Sequence, residues 1–147
     1  MARTTRYRFS TGMFWVSVGL YVASLATTAY VTVEGASSQD HFGAEALVLG
    51  PIGFFAGHFS WLANPLLWGS WFTRTRQGIS PSFPLALIAF IPAILFLVGE
   101  TVPVGSAGSY KYHVSLGYYL WLSSMAVAAI AGFAYPATSE PFAQNAS

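Results

Sequence analysis

Four long apolar runs with no charged residue inside them constrain this chain more than any other feature. They cover about residues 13–33, 46–72, 83–99 and 116–135. Only 7% of the 147 residues are charged, against about 25% in an ordinary soluble domain. With 54% hydrophobic and 17% aromatic residues, a polar surface for a soluble globule cannot be assembled from what is left. The aromatic content also excludes a disordered chain, and the absence of cysteine excludes a disulfide scaffold and Cys-based metal or redox chemistry. A net charge of +1 excludes a nucleic-acid partner, whose binding needs a strongly basic face.

A helix needs about 20 apolar residues to cross a hydrocarbon core of roughly 30 Å. The four runs meet that length, and they lack the alternating polarity of a membrane β-barrel. The expected fold is therefore all-α: an integral membrane four-helix up-down bundle forming a single transmembrane domain over residues 1–135. Residues 136–147 read as a disordered polar tail. Pro84 suits a first helical turn and Pro92 a mid-span kink. Arg3, Arg6, Arg8, Arg74 and Arg76 fall on one side, and the single Lys111 on the other, so the positive-inside rule places both termini in the cytoplasm. The basic start of the first run also fits a signal peptide cleaved near Ala29, although its length favours a retained helix.

The second run is the densest in chemistry. Gly53 and Gly57 form a small-xxx-small pair that suits close helix packing. Trp61, Asn64, Pro65 and Trp68 follow at helical spacing on one face, with Pro65 expected to kink the helix and free the Trp61 carbonyl. Asn64 is the amide nearest to that break, and broken helices line sites in transporters. His58, near mid-span, is the one weak candidate for cofactor binding, as a quinone contact, haem ligand or proton relay. Paired-histidine haem ligation fails on geometry. His41 and His113 are expected at the outer surface, more than about 10 Å away at roughly 1.5 Å per residue. No cofactor is predicted.

The outer side collects Glu34, Asp40, His41, Glu45, Glu100 and His113. Their spacing matches no metal-binding pattern, so they read as a solvated, negatively charged face with no metal site. Glu100, which ends an apolar run, would pair with Lys111 or a backbone group. No nucleophile elbow, phosphate-binding loop or intramembrane carboxylate pair is present. The fourth run opens with Tyr118, Tyr119 and Trp121 at the interface and ends in Ala, Gly and Ser suited to close packing.

Trp61-Leu62-Ala63-Asn64-Pro65 and Gly117-Tyr118-Tyr119-Leu120-Trp121-Leu122-Ser123-Ser124 resemble a group of uncharacterised small multi-pass bacterial membrane proteins. In that group a Trp-Leu-Ala-Asn-Pro helix precedes a Gly-Tyr-x-Leu-Trp-Leu segment. The resemblance covers the second to fourth runs. It implies a multi-pass protein of the bacterial cytoplasmic (inner) membrane and directs mutagenesis to Trp61, Asn64, Pro65, Tyr118 and Trp121. With no catalytic set, the expected function is non-enzymatic. The chain would sit in the lipid bilayer and associate with another membrane protein, as an accessory or immunity-type subunit, or with copies of itself. The alternatives are a small oligomeric transporter or channel, or a quinone- or haem-binding redox component, each using His58 and Asn64.

Overall fold

The first apolar run does not stay helical to its end. Thr27 to Glu34 is rich in Thr, Val and Tyr, side chains whose branching or rings favour a pleated strand. In the computed structural model, which describes residues 2–34, 37–55, 57, 59–74, 81–99, 101–103 and 109–135, the elements follow in this order. Helix α1 (Ala2–Leu25) leads into strands β1 (Thr28–Glu34) and β2 (Ser37–Phe42). Helix α2 (Gly43–Phe55), a 3-10 turn (Phe59–Leu62) and helix α3 (Ala63–Arg74) come next. Helix α4 (Ser82–Val98), strands β3 (Thr101–Pro103) and β4 (Ser109–Val114) and helix α5 (Leu116–Ala134) complete the chain.

The fold is therefore mixed α/β, not the all-α four-helix bundle expected from hydropathy. The end of the first expected helix, as β1, and segments read as loops, as β2, β3 and β4, form a four-stranded antiparallel sheet in the order β2-β1-β4-β3 among the described residues. Thr32 lies opposite Gln39 on one side and Tyr112 on the other, so β1 is central. Apolar-run counting cannot find such strands, because short alternating segments carry almost no signal beside long helices.

The second run is likewise not one helix over 46–72. It is split into α2, the 3-10 turn and α3, with Gly57 between α2 and the turn at φ +84°. A left-handed backbone is easily reached only by glycine. Pro65 falls in the first turn of α3, where a missing N–H costs nothing, so it starts a helix instead of kinking one. Among the described residues α5 alone is long and apolar enough to cross a membrane, where the sequence led us to expect four such helices. Helix α4 and the Gly43–Gly53 part of α2 are apolar but shorter.

Helices α1 and α5 run antiparallel and close together. The Ser10 hydroxyl donates to the Ala131 carbonyl at 2.6 Å, and the Ser17 hydroxyl donates to the Ser124 carbonyl at 2.7 Å. Ser10, Ser17 and Ser24 recur at seven-residue steps, and all three are buried. Helix α4 presents Ala86, Ala89 and Ala93 to Met125, Ala128 and Ala129 of α5, with Leu67 of α3 and Tyr21 of α1 completing the core. The interior is thus small or hydroxylated, while large apolar side chains such as Trp15, Phe72, Ile91 and Phe133 point outward.

The sheet caps the end of the helices where α1 and α4 finish and α5 begins. The Ser115 N–H donates to the Ala29 carbonyl at 2.8 Å, and the Tyr112 hydroxyl donates to the Phe96 carbonyl at the end of α4. A side chain at Gly117 would press on the carbonyls of Thr27 and Thr28, which lets α5 start directly under β1.

Gly132 tests the close packing. A Cβ there would sit 2.8 Å from the Phe83 nitrogen on α4, whereas one at Gly12 would meet nothing within 4 Å. Thermal unfolding in detergent should show Gly132→Ala destabilised by about 1–3 kcal/mol. Gly12→Ala should be neutral or up to about 1 kcal/mol more stable, since alanine is the better helix former.

Candidate functional site

Splitting the second run leaves α2 leaning away from the other helices, and an open cleft of about 620 Å³ lies between α2, the sheet and the ends of α3, α4 and α5. That volume falls in the range of small-molecule sites, about 300–1,000 Å³. One wall of the cleft is helical: Trp61, Asn64, Phe96, Tyr118 and Trp121. The facing side is Tyr30, Thr32 and His41 from the sheet with Glu45, Gly50 and Gly53 from α2.

Asn64 is 7% exposed and sits in the first turn of α3. Its side-chain oxygen accepts two hydrogen bonds, from the Tyr21 hydroxyl at 3.2 Å and from the Trp121 indole N–H at 3.0 Å. An indole N–H can only donate, so the oxygen must face Trp121 and the amide orientation is settled. The Asn64 NH2 group then has no protein partner among the described residues. No buried side-chain nitrogen or oxygen there lacks one, so the NH2 opens into the cleft that Asn64 lines. Two donor protons are presented to whatever occupies the space.

The aromatic walls are held in place by similar ties. The Trp61 indole donates to the Leu47 carbonyl of α2 at 2.9 Å, and its ring packs so closely on Gly50 that any side chain there would strike it. The Tyr118 hydroxyl donates to the Ala93 carbonyl at 2.8 Å, fixing its ring beside Trp121 and Phe96. On the sheet side, Tyr30 stacks on His41 with ring centroids 4.7 Å apart and planes 17° from parallel. His41 Nδ1 lies 2.9 Å from Glu45 Oε1 and its Nε2 lies 3.1 Å from the Thr32 hydroxyl. A carboxylate only accepts, so Nδ1 carries the proton shared with Glu45.

Of the residues singled out from sequence, Gly53, Trp61, Asn64, Tyr118, Trp121 and Glu45 come together around this cleft. Gly53 and Gly57 do not share a helix face, because Gly57 lies beyond the end of α2 and a Cβ there would meet nothing within 4 Å. Pro65 is in α3 but not in the cleft wall. Glu34 ends β1, and the cofactor candidate His58 and the outer-face Glu100 lie outside the described residues, as does the tail over 136–147. Tyr21, Tyr30 and His41 were missed as site residues. Tyr21 was findable, since it follows Ser17 by one helical turn on the serine face of α1; the Tyr30–His41 stack depends on strand pairing and left no local trace.

No protein-family model matches the chain, and no curated protein or solved structure matches it either.

Burial raises the Tyr30 phenol above its ordinary 10.0, with the charge of Glu45 adding to the effect, and burial likewise raises Tyr112. The folded chain keeps these protons at a pH where the unfolded chain releases them, so stability is retained below pH 10 and falls above it. Ionised Tyr112 can no longer donate to Phe96. The melting temperature should hold from neutral pH to about 9 and drop beyond about 10. Tyr112→Phe should melt lower at neutral pH, by about 0.5–1.5 kcal/mol, and decline less steeply in alkali.

Proposed function

We propose that this chain is a membrane-embedded, non-enzymatic binding protein that takes a lipophilic ring carbonyl compound, a quinone in chemical class, in the cleft beside Asn64. The membrane part of the reading draws on the inverted distribution of side chains. Serine and alanine pack inside, while Trp15, Ile91 and Phe133 are 64%, 63% and 77% exposed. Lipid gives apolar side chains no reason to hide, and helices associate in it through small residues and interhelical hydrogen bonds. Helix α5 would cross the bilayer of a bacterial inner membrane, with α1, α3 and α4 against it in lipid and the sheet at the surface.

One observation carries the ligand reading: the buried, oriented Asn64 amide with its NH2 turned to an aromatic-walled space. A carbonyl oxygen is the matching acceptor, and Trp61, Tyr118 and Trp121 offer faces and edges for a flat ring. Because Trp61 and Trp121 line the cleft, a short-chain ubiquinone analogue should quench the fluorescence of the purified protein saturably. Asn64→Asp retains an oxygen for Tyr21 and Trp121 but replaces the donor by an acceptor. It should weaken binding at least about tenfold, the equivalent of roughly 1.4 kcal/mol. Quenching that stays linear with quinone, or is unchanged in Asn64→Asp, would remove this reading.

Association with a second membrane protein is supported by the exposed apolar residues of α2. Val48, Leu49 and Ile52 on α2 are 73%, 50% and 66% exposed; Leu49 and Ile52 also line the cleft, whereas Val48 stands outside its lining. Recovery of a stoichiometric partner on mild-detergent purification, lost in Val48→Asn, would favour that use of the chain.

A further inference from the structure

At the opposite end of α1 from the sheet, the last residue of α3 is a buried cation with no counter-charge among the described residues. Arg74 is 6% exposed. Its Nε and Nη2 donate to the Ser10 hydroxyl oxygen at 3.3 and 3.1 Å, and Nη2 also donates to Thr11 at 3.2 Å. The Ser10 hydroxyl proton is already given to Ala131, so its oxygen is a pure acceptor for the guanidinium. The rings of Phe14 and Tyr135 flank the group at 4.9 and 5.4 Å.

These partners are all neutral. The one ion pair among the described residues is His41–Glu45, and the acidic residues described, Glu34, Asp40 and Glu45, belong to β1, β2 and α2 at the far end. A guanidinium has five N–H donors, and the two on Nη1 have no partner among the described residues. Since no buried side-chain nitrogen among the described residues is left without one, Nη1 opens outward. Two further cations precede these hydroxyls on α1: Arg6 lies four residues before Ser10 and Arg8 three residues before Thr11, one on each flank of the face that meets Arg74. Both are exposed, and neither forms an ion pair among the described residues.

We propose that Arg74, with Arg6 and Arg8, forms an anion site for a phosphate group. Neutral hydroxyls take the Nε and Nη2 protons and fix the guanidinium plane, which leaves the two Nη1 protons held in place for an acceptor. The combined charge of three arginines exceeds what a single carboxylate balances, and suits a phosphodiester or phosphate. Basic pockets between helix ends are where acidic lipid headgroups seat, and a free phosphate would meet the same donors. The site is at the other end of the helices from the quinone cleft and stands or falls separately from it.

The test is thermal unfolding of the purified full-length chain in neutral detergent, titrated in separate arms with short-chain phosphatidylglycerol, short-chain phosphatidylcholine and inorganic phosphate. A saturable rise in melting temperature with phosphatidylglycerol but not phosphatidylcholine is expected, and assigns the phosphate to a lipid. A rise with inorganic phosphate at millimolar concentration assigns it to a soluble source. Arg74→Gln strips Ser10 and Thr11 of their partner and endangers the fold, so the exposed pair carries the comparison. Arg6→Gln/Arg8→Gln should weaken the response about fivefold for each arginine removed. Equal responses to the two lipids with none to phosphate, or a double variant that titrates like the parent chain, would overturn the site.

Discussion

Close approach of helix backbones, made possible by hydroxyl-to-carbonyl bonds between α1 and α5, is the constraint on which the rest of the structure rests. Ser10 and Ser17 each donate across the interface to a main-chain carbonyl, and Ala128, Ala129 and Gly132 leave α4 room to come equally near on the other side. Once the backbones are this close, little volume remains for branched apolar residues inside. Those residues are turned out instead, which gives the molecule an apolar exterior and a finely polar interior.

The same face of α1 sets the position of α3. Its rungs run from Ser10 with Arg74, through Ser17 with Trp71, to Tyr21 with Asn64. Each rung satisfies a polar group that burial would otherwise penalise. At each end of this ladder a donor is left without a partner among the described residues: the Asn64 NH2 at the sheet end and Arg74 Nη1 at the other. Structural hydrogen bonding thus uses one side of each group and orients the unused side, so the same bonds that support the fold also shape both candidate sites.

The cleft exists because the second apolar run does not propagate as one helix. Gly57 takes a left-handed conformation, and Pro65 then supplies a fresh helix start. The 13-residue α2 is about 20 Å long and swings aside, anchored through Trp61 to the Leu47 carbonyl and through Gly43 to the end of α1. Had the run been continuous, Trp61 and Gly50 would lie three turns apart along one rod and no cavity would separate them from the sheet.

The apolar runs, the basic clustering at one end and the concentration of information around Trp61 and Asn64 were all legible in the sequence, because each depends on residue type and short-range spacing. Helices α4 and α5 fall within one residue of the expected runs over 83–99 and 116–135 for the same reason. The sheet was not legible: pairing β1 with β4 joins residues about eighty positions apart, and nothing local to Tyr30 announces Tyr112 or Val114. Hydropathy also counted Thr28 to Val33 as helix, since Val, Tyr and Thr satisfy an apolar window and a strand equally well. The sequence by itself determined which residues had chemistry to offer, because donors and charges belong to side chains. Only the tertiary structure decided which of their donors stay free, because that depends on partners brought together from distant parts of the chain.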